Sequence, residues 1–84
     1  MGRVKSVNFS HLAVFSIQSA DDGTAQHLKE AIRDLCVHPA LGRPLKLETD
    51  GLKTYRVGSF RIFHRVQRDA MDIVFLELRE DVFR

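Results

Sequence analysis

Gly58-Ser59, set between Tyr55-Arg56-Val57 and Phe60-Arg61-Ile62-Phe63, constrains this chain more than any other dipeptide in it. A two-residue loop led by glycine favours a primed hairpin turn, because glycine accepts a positive φ without steric cost. That turn sets the register of two antiparallel strands: Val57 faces Phe60, Arg56 faces Arg61, Tyr55 faces Ile62 and Thr54 faces Phe63. Alternation then gathers Tyr55, Val57, Phe60 and Ile62 on one face and leaves Arg56 and Arg61 on the other. Two arginines directly opposite each other repel unless something anionic lies between them. The pattern points to a site for phosphate or carboxylate. The plainer reading is a solvated outer face with splayed arginines.

Eighty-four residues suit a single domain spanning 1–84, with room for one sheet and a pair of helices. A chain this short buries only about 60% of its unfolded surface, too little for a deep two-domain cleft. The lone Cys36 excludes an internal disulfide and fits a reducing, cytoplasmic setting. No apolar run approaches the ~18 residues of a membrane span, and Met1-Gly2-Arg3-Val4-Lys5 leads into a strand rather than a signal segment. Net charge is a modest +2, but its distribution is uneven. Residues 1–42 balance four basic against four acidic side chains, whereas 52–68 hold Lys53, Arg56, Arg61, Arg65 and Arg68 and no acid. A local basic patch on a balanced surface is the footprint of nucleic acid or an acidic protein partner.

Along the chain, Arg3–Phe9 carries a strand signal, and Ser10 is placed to cap a short helix through Leu12, Val14, Phe15 and Ile17. Ser19–Gly23 reads as a connection. The clearest helix follows, with Ala25, Leu28, Ala31, Ile32, Leu35 and Cys36 at helical spacing and Pro39 as its stop. Gly42–Gly51 reads as a loop anchored by Leu45 and Leu47. Leu52–Val57 and Phe60–Val66 form the hairpin, and Met71–Leu78 the next strand. There Val74, Leu76 and Leu78 suit the buried face, leaving Ile73, Phe75, Glu77 and Arg79 beside the arginines. The expected fold is α+β: an N-terminal strand and a two-helix hairpin packed on an antiparallel sheet of about four strands, with the arginine face open.

Three short motifs, in order and at matching spacing, then carry a resemblance. Gly42-Arg43-Pro44-Leu45, Tyr55–Phe63 and Arg79-Glu80-Asp81-Val82-Phe83 resemble the Gly-x-x-Leu segment, the Arg-Val-Gly-x-aromatic-Arg hairpin and the closing Arg-x-x-Val-Tyr-like motif of the RelE/ParE superfamily. These are toxins of type II toxin–antitoxin pairs. RelE-like members cleave messenger RNA in the ribosomal A site, and ParE-like members inhibit DNA gyrase. The resemblance implies a cognate antitoxin as partner, with the ribosome and mRNA (or gyrase) as target, and no membrane. RelE-like chemistry is a metal-independent transesterification, so no cofactor or metal is implied.

Carried onto this sequence, the resemblance makes Arg61 the clamp on the scissile phosphate and Arg79 a stabiliser of its charge, with Arg56 in support. Arginine suits these tasks because its planar fork bonds phosphate oxygens and stays charged. Lys53, Arg65 and Lys46 are candidates for the RNA backbone. Two departures bear on activity: Thr54 stands where many active members carry a second Lys or Arg, and Phe83 replaces the usual tyrosine. Losing one acid or base group typically costs about 10²–10⁴-fold in rate. The non-catalytic gyrase inhibitor, and a decayed toxin that keeps its antitoxin surface, therefore stand beside the nuclease. His64 lies across from Lys53 on the Tyr55/Ile62 face and reads as a partly buried or edge residue. His11, His27 and His38 belong to no recognisable constellation, and Cys36 reads as core.

Overall fold

A computed structural model of the chain describes residues 4–45 and 51–78. Its elements are β1 (Ser6–Phe9), α1 (His11–Ser19), α2 (Asp22–Val37), a one-turn 3-10 helix over Pro39–Leu41, β2 (Arg43–Pro44), β3 (Lys53–Val57), β4 (Phe60–Gln67) and β5 (Ala70–Leu78). The strands form one sheet in the order β1-β5-β4-β3-β2. The β3–β4 hairpin has the register expected from its turn, running from Val57↔Phe60 to Lys53↔His64, and Gly58 takes a φ of 59°. Two features depart from the expected sheet. It is mixed rather than antiparallel, because β1 runs parallel to β5. It also gains a short edge strand, since Arg43 and Pro44 pair with Thr54 and Lys53 where a loop was expected.

Both helices start where a polar side chain can satisfy a first-turn N–H group. The Ser10 hydroxyl accepts from the Ala13 N–H at 3.0 Å, and the Asp21 carboxylate accepts from the Thr24 N–H at 2.7 Å. Asp21's carboxyl is held below its usual pKa by that bond. Along α2, Leu28, Ala31, Ile32 and Leu35 fall on one face and are buried, meeting Ile62, Met71, Ile73 and Leu76 of the sheet. Cys36 is half-buried against the same core, and burial pushes its thiol pKa up, as suits a packing residue rather than a nucleophile. Helix α1 buries only Ala13 fully; Leu12 and Phe15 stay 60% and 67% exposed.

The main departure from the expected side-chain phase lies in β5. Strand β4 alternates regularly, with Ile62 and His64 buried. Its partner carries one extra residue: Phe63 pairs with Phe75, yet His64 pairs with Ile73, so Val74 bulges. The bulge lets Ile73 and Leu76, three residues apart, both face the helices. Ile73 is therefore core rather than part of the arginine face, and Val74 is only half-buried. Leu76 is buried and Phe75 exposed, as expected; the Leu78 side chain, Leu47 and Arg79 lie outside the described residues.

Ser10 closes this irregularity. Its hydroxyl donates to the Val74 carbonyl at 2.7 Å while accepting from Ala13, and its backbone N–H donates to the Ile73 carbonyl at 3.0 Å. One side chain thus caps α1 and satisfies the carbonyl of the bulged residue. Ser10→Ala removes both bonds and leaves a part-buried carbonyl unpaired, for an expected loss of about 2 kcal/mol. Asp21→Ala, at an exposed cap, is expected to cost less. Urea unfolding of the two variants checks the order; equal losses would mean that the Val74 bond contributes nothing.

Candidate nucleic-acid interface on the open sheet face

Side chains on the face away from the helices fall into rows across the strands. One row runs Arg43, Thr54, Phe63, Phe75, and the next runs Arg56, Arg61, Glu77. A third places Arg65 opposite Asp72, which accepts a hydrogen bond from the Asn8 amide at 3.1 Å. The cations of these rows therefore lie on β2, β3 and β4, and the acids on β5.

The chain itself supplies an anion to the paired arginines, on the far side of Arg61 from Arg56. Arg61 Nε lies 3.7 Å from Glu77 Oε1, with side chains 34% and 40% exposed. Such a solvent-screened pair contributes at most about 1 kcal/mol to stability. Its larger effect is local: Glu77 relieves the Arg56/Arg61 repulsion and fixes the direction of the Arg61 guanidinium. Glu77 Oε1 is shielded from water yet has no hydrogen-bond partner among the described residues, so an acceptor position there is unused. The Arg61 guanidinium also sits 5.9 Å from the Phe63 ring centre, and Phe63 lies 5.7 Å from the ring of Phe75, which is 39% exposed. Cations beside open aromatic faces are the elements of a single-stranded nucleic-acid surface.

Of the residues proposed from sequence, Arg56, Arg61 and Arg65 share this face. Lys53 does not: it occupies the helix-side phase next to His64. Lys46 and Arg79 lie outside the described residues. Two residues of the face had no role assigned from sequence. Glu77 was legible there by alternation, but its pairing with Arg61 follows from the β4–β5 register. Arg43 joins the face only because two residues of the supposed loop form β2.

His64 lies on the opposite side of the sheet, fully buried. Its Nδ1–H donates to the Ile62 carbonyl at 3.1 Å, which leaves Nε2 as a buried, unpartnered acceptor. Gly42 packs onto the ring: a Cβ there would collide with Nε2 and come within 2.8 Å of Cε1. His64 is thus a fully buried core residue rather than a partly buried or edge one. Burial lowers its pKa, assisted by the nearby Lys53 charge and opposed by the Ile62 hydrogen bond. With the folded-state value below the free value of about 6.5, the unfolded chain binds the proton first. Stability is therefore complete above about pH 7 and falls as pH drops through 6.5 toward the lower folded value. Thermal unfolding between pH 7.5 and 5.5 should reveal this loss, and His64→Leu should flatten it; an unchanged slope in the variant would remove His64 as the cause.

A family model described as the ParE toxin of type II toxin–antitoxin systems matches residues 8–81. No curated protein is detectably similar in sequence. Among solved structures, a chain of the RelBE2 toxin–antitoxin complex from Mycobacterium tuberculosis is similar at 24% identity and a TM-score of 0.84, over 96% of this chain and 98% of that one. The ParDE system of P. aeruginosa gives 16% identity and 0.71 over 92% and 98%. The YoeB/ParE toxin of Agrobacterium tumefaciens gives 16% and 0.74 over 90% and 100%. These likenesses agree with the fold, and the family match spans the open face and the helices alike. The chain belongs to the ParE toxin family of type II toxin–antitoxin systems.

Proposed function

We propose that this toxin engages mRNA on its open sheet face and cleaves it in the ribosome by transesterification. The observation that carries the reading is one constellation on one face: Arg61, the Glu77 carboxylate 3.7 Å from it, and the neighbouring Phe63–Phe75 ring pair. In the proposed step the ribose 2′-oxygen attacks the adjacent phosphorus while its proton passes to Glu77. The P–O5′ bond breaks, giving a 2′,3′-cyclic phosphate and a 5′-hydroxyl. Arg61 bonds the non-bridging oxygens, where charge accumulates, and Arg79 is expected to assist. Phe63 and Phe75 stack an adjacent base. With phenylalanine at position 83, the departing oxygen takes its proton from water, so the expected rate is low for such an enzyme.

The relatives include RelBE and ParDE toxin–antitoxin complexes, which supports a cognate antitoxin as this chain's partner. The exposed Leu12 and Phe15 of α1 offer apolar contact for an amphipathic helix. A second reading, the gyrase-type inhibitor, draws support from the ParE family match together with Thr54 and Phe83. A binder needs no acid or base.

Purified protein added to programmed ribosomes is expected to cut the A-site codon. Arg61→Ala should reduce cleavage at least about 100-fold without lowering the melting temperature, since the residue is partly exposed. Glu77→Gln should slow cleavage similarly while RNA affinity holds or rises, because the variant loses a negative charge beside the phosphate site. Intact mRNA with protein in excess over ribosomes, accompanied by stoichiometric inhibition of supercoiling, would overturn the nuclease reading in favour of the inhibitor.

A further inference from the structure

Beside the Arg61–Glu77 pair lies a cleft of about 470 Å³ lined by Leu41, Arg43, Thr54, Tyr55 and Arg56. It exists because β2 begins only at Arg43. Strand β2 pairs with β3 at Arg43↔Thr54 and Pro44↔Lys53, and the Leu45 N–H donates to the Leu52 carbonyl at 3.0 Å. Before Arg43 the chain is the 3-10 helix Pro39–Leu41, closed by the Gly42 N–H donating to the Pro39 carbonyl at 3.2 Å, so no strand continues opposite Tyr55 and Arg56. The vacated edge of β3 becomes the cleft, with Leu41 as its outer wall.

We propose that Arg43 and Arg56 form a second phosphate subsite in this cleft, which holds the nucleotide next to the scissile one in a single-stranded RNA. The inference rests on the RNA reading above and extends it to a residue with no assigned role. Among the described residues, neither arginine has an ion-pair partner, unlike Arg61, and none of those lining the cleft is acidic. Arg43 faces Thr54 across the β2–β3 pairing, so β2 sets a cation beside the Thr54 hydroxyl. The row from Arg43 through Thr54 to Phe63 and Phe75 presents a guanidinium, a hydroxyl and two rings in order. Adjacent strands lie about 4.8 Å apart, so Arg43 and Phe63 are separated by ~10 Å, the scale of one nucleotide from phosphate to base. A guanidinium for phosphate, a hydroxyl for ribose and a ring for stacking match RNA in that sequence. An acidic peptide would use only the first of the three.

The test is fluorescence anisotropy of a labelled single-stranded RNA hexamer without ribosomes, which reads binding apart from cleavage. Each single-strand phosphate contact contributes about 0.7 to the slope of log affinity against log salt. Arg43→Ala should reduce that slope by about 0.7 and weaken binding about five- to ten-fold at low salt. Arg43→Lys should keep the slope, and Arg33→Ala, on α2, should change neither quantity. On ribosomes, Arg43→Ala should require more protein for half-maximal cleavage and leave the maximal rate unchanged, a split that a merely structural residue would not give. If Arg56→Ala and Arg61→Ala weaken RNA binding while Arg43→Ala keeps the wild-type slope, the subsite is wrong and the RNA reading stands. Failure of the wild-type protein to bind RNA would overturn both. Tighter, Arg43-dependent binding of a glutamate-rich peptide of equal charge would reassign the cleft to a protein partner.

Discussion

The hydroxyl of Ser10 holds together two parts of the molecule that follow different periodicities. Helix α1 needs an acceptor for the Ala13 N–H, and the bulge in β5 needs a donor for the Val74 carbonyl; Ser10 supplies both. Without the extra residue at Val74, strict alternation would put Ile73 on the open face, away from the helices. With it, Met71, Ile73 and Leu76 all reach the core while Phe75 and Glu77 remain outside. The bulge therefore completes the hydrophobic core and also sets which β5 side chains stand opposite Phe63 and Arg61.

That placement gives the open face its electrostatic character. A glycine-led turn brings Arg56 and Arg61 together, and the β4–β5 register brings a carboxylate to the second of them. The result is graded rather than uniformly basic: Arg43 and Arg56 near the β2 edge lack a described ion pair, Arg61 is half-compensated, and acids lie beyond it. On the proposed reading the gradient divides the labour. The uncompensated edge attracts the backbone of the nucleic acid, and the mixed centre supplies both a cation for the phosphate and a base for the 2′ proton. On the buried side of the same strands Gly42 fits against His64, and the cleft lies next to it at the β3 edge.

Much of this was legible in the sequence because local chemistry dictated it. The Gly58-Ser59 turn fixed five cross-strand pairs, Ser10 marked the start of α1, and the spacing of Leu28, Ala31, Ile32 and Leu35 marked the buried face of α2. What escaped depends on long-range packing. A bulge at Val74 leaves no pattern distinct from alternation in a run as apolar as Ile73-Val74-Phe75-Leu76, and its partner Ser10 is 64 residues away. The parallel β1–β5 pairing likewise joins opposite ends of the chain. Strand β2 is only two residues long and contains Pro44, too little for any periodicity, so Arg43 was read as part of a loop. Of the residues newly drawn into the candidate site, Arg43 owes its place to this short edge strand and Glu77 to the β4–β5 register across the bulge.

On the proposed reading, the open sheet face is the RNA-binding surface. Titrating a single-stranded RNA hexamer into isotopically labelled protein and following backbone amide shifts by NMR tests it directly. The largest shifts are expected to cluster at Arg43, Thr54, Arg56, Arg61, Phe63 and Phe75, while α1 and α2 stay unperturbed. Shifts centred on Leu12 and Phe15, or none at saturating RNA, would contradict it.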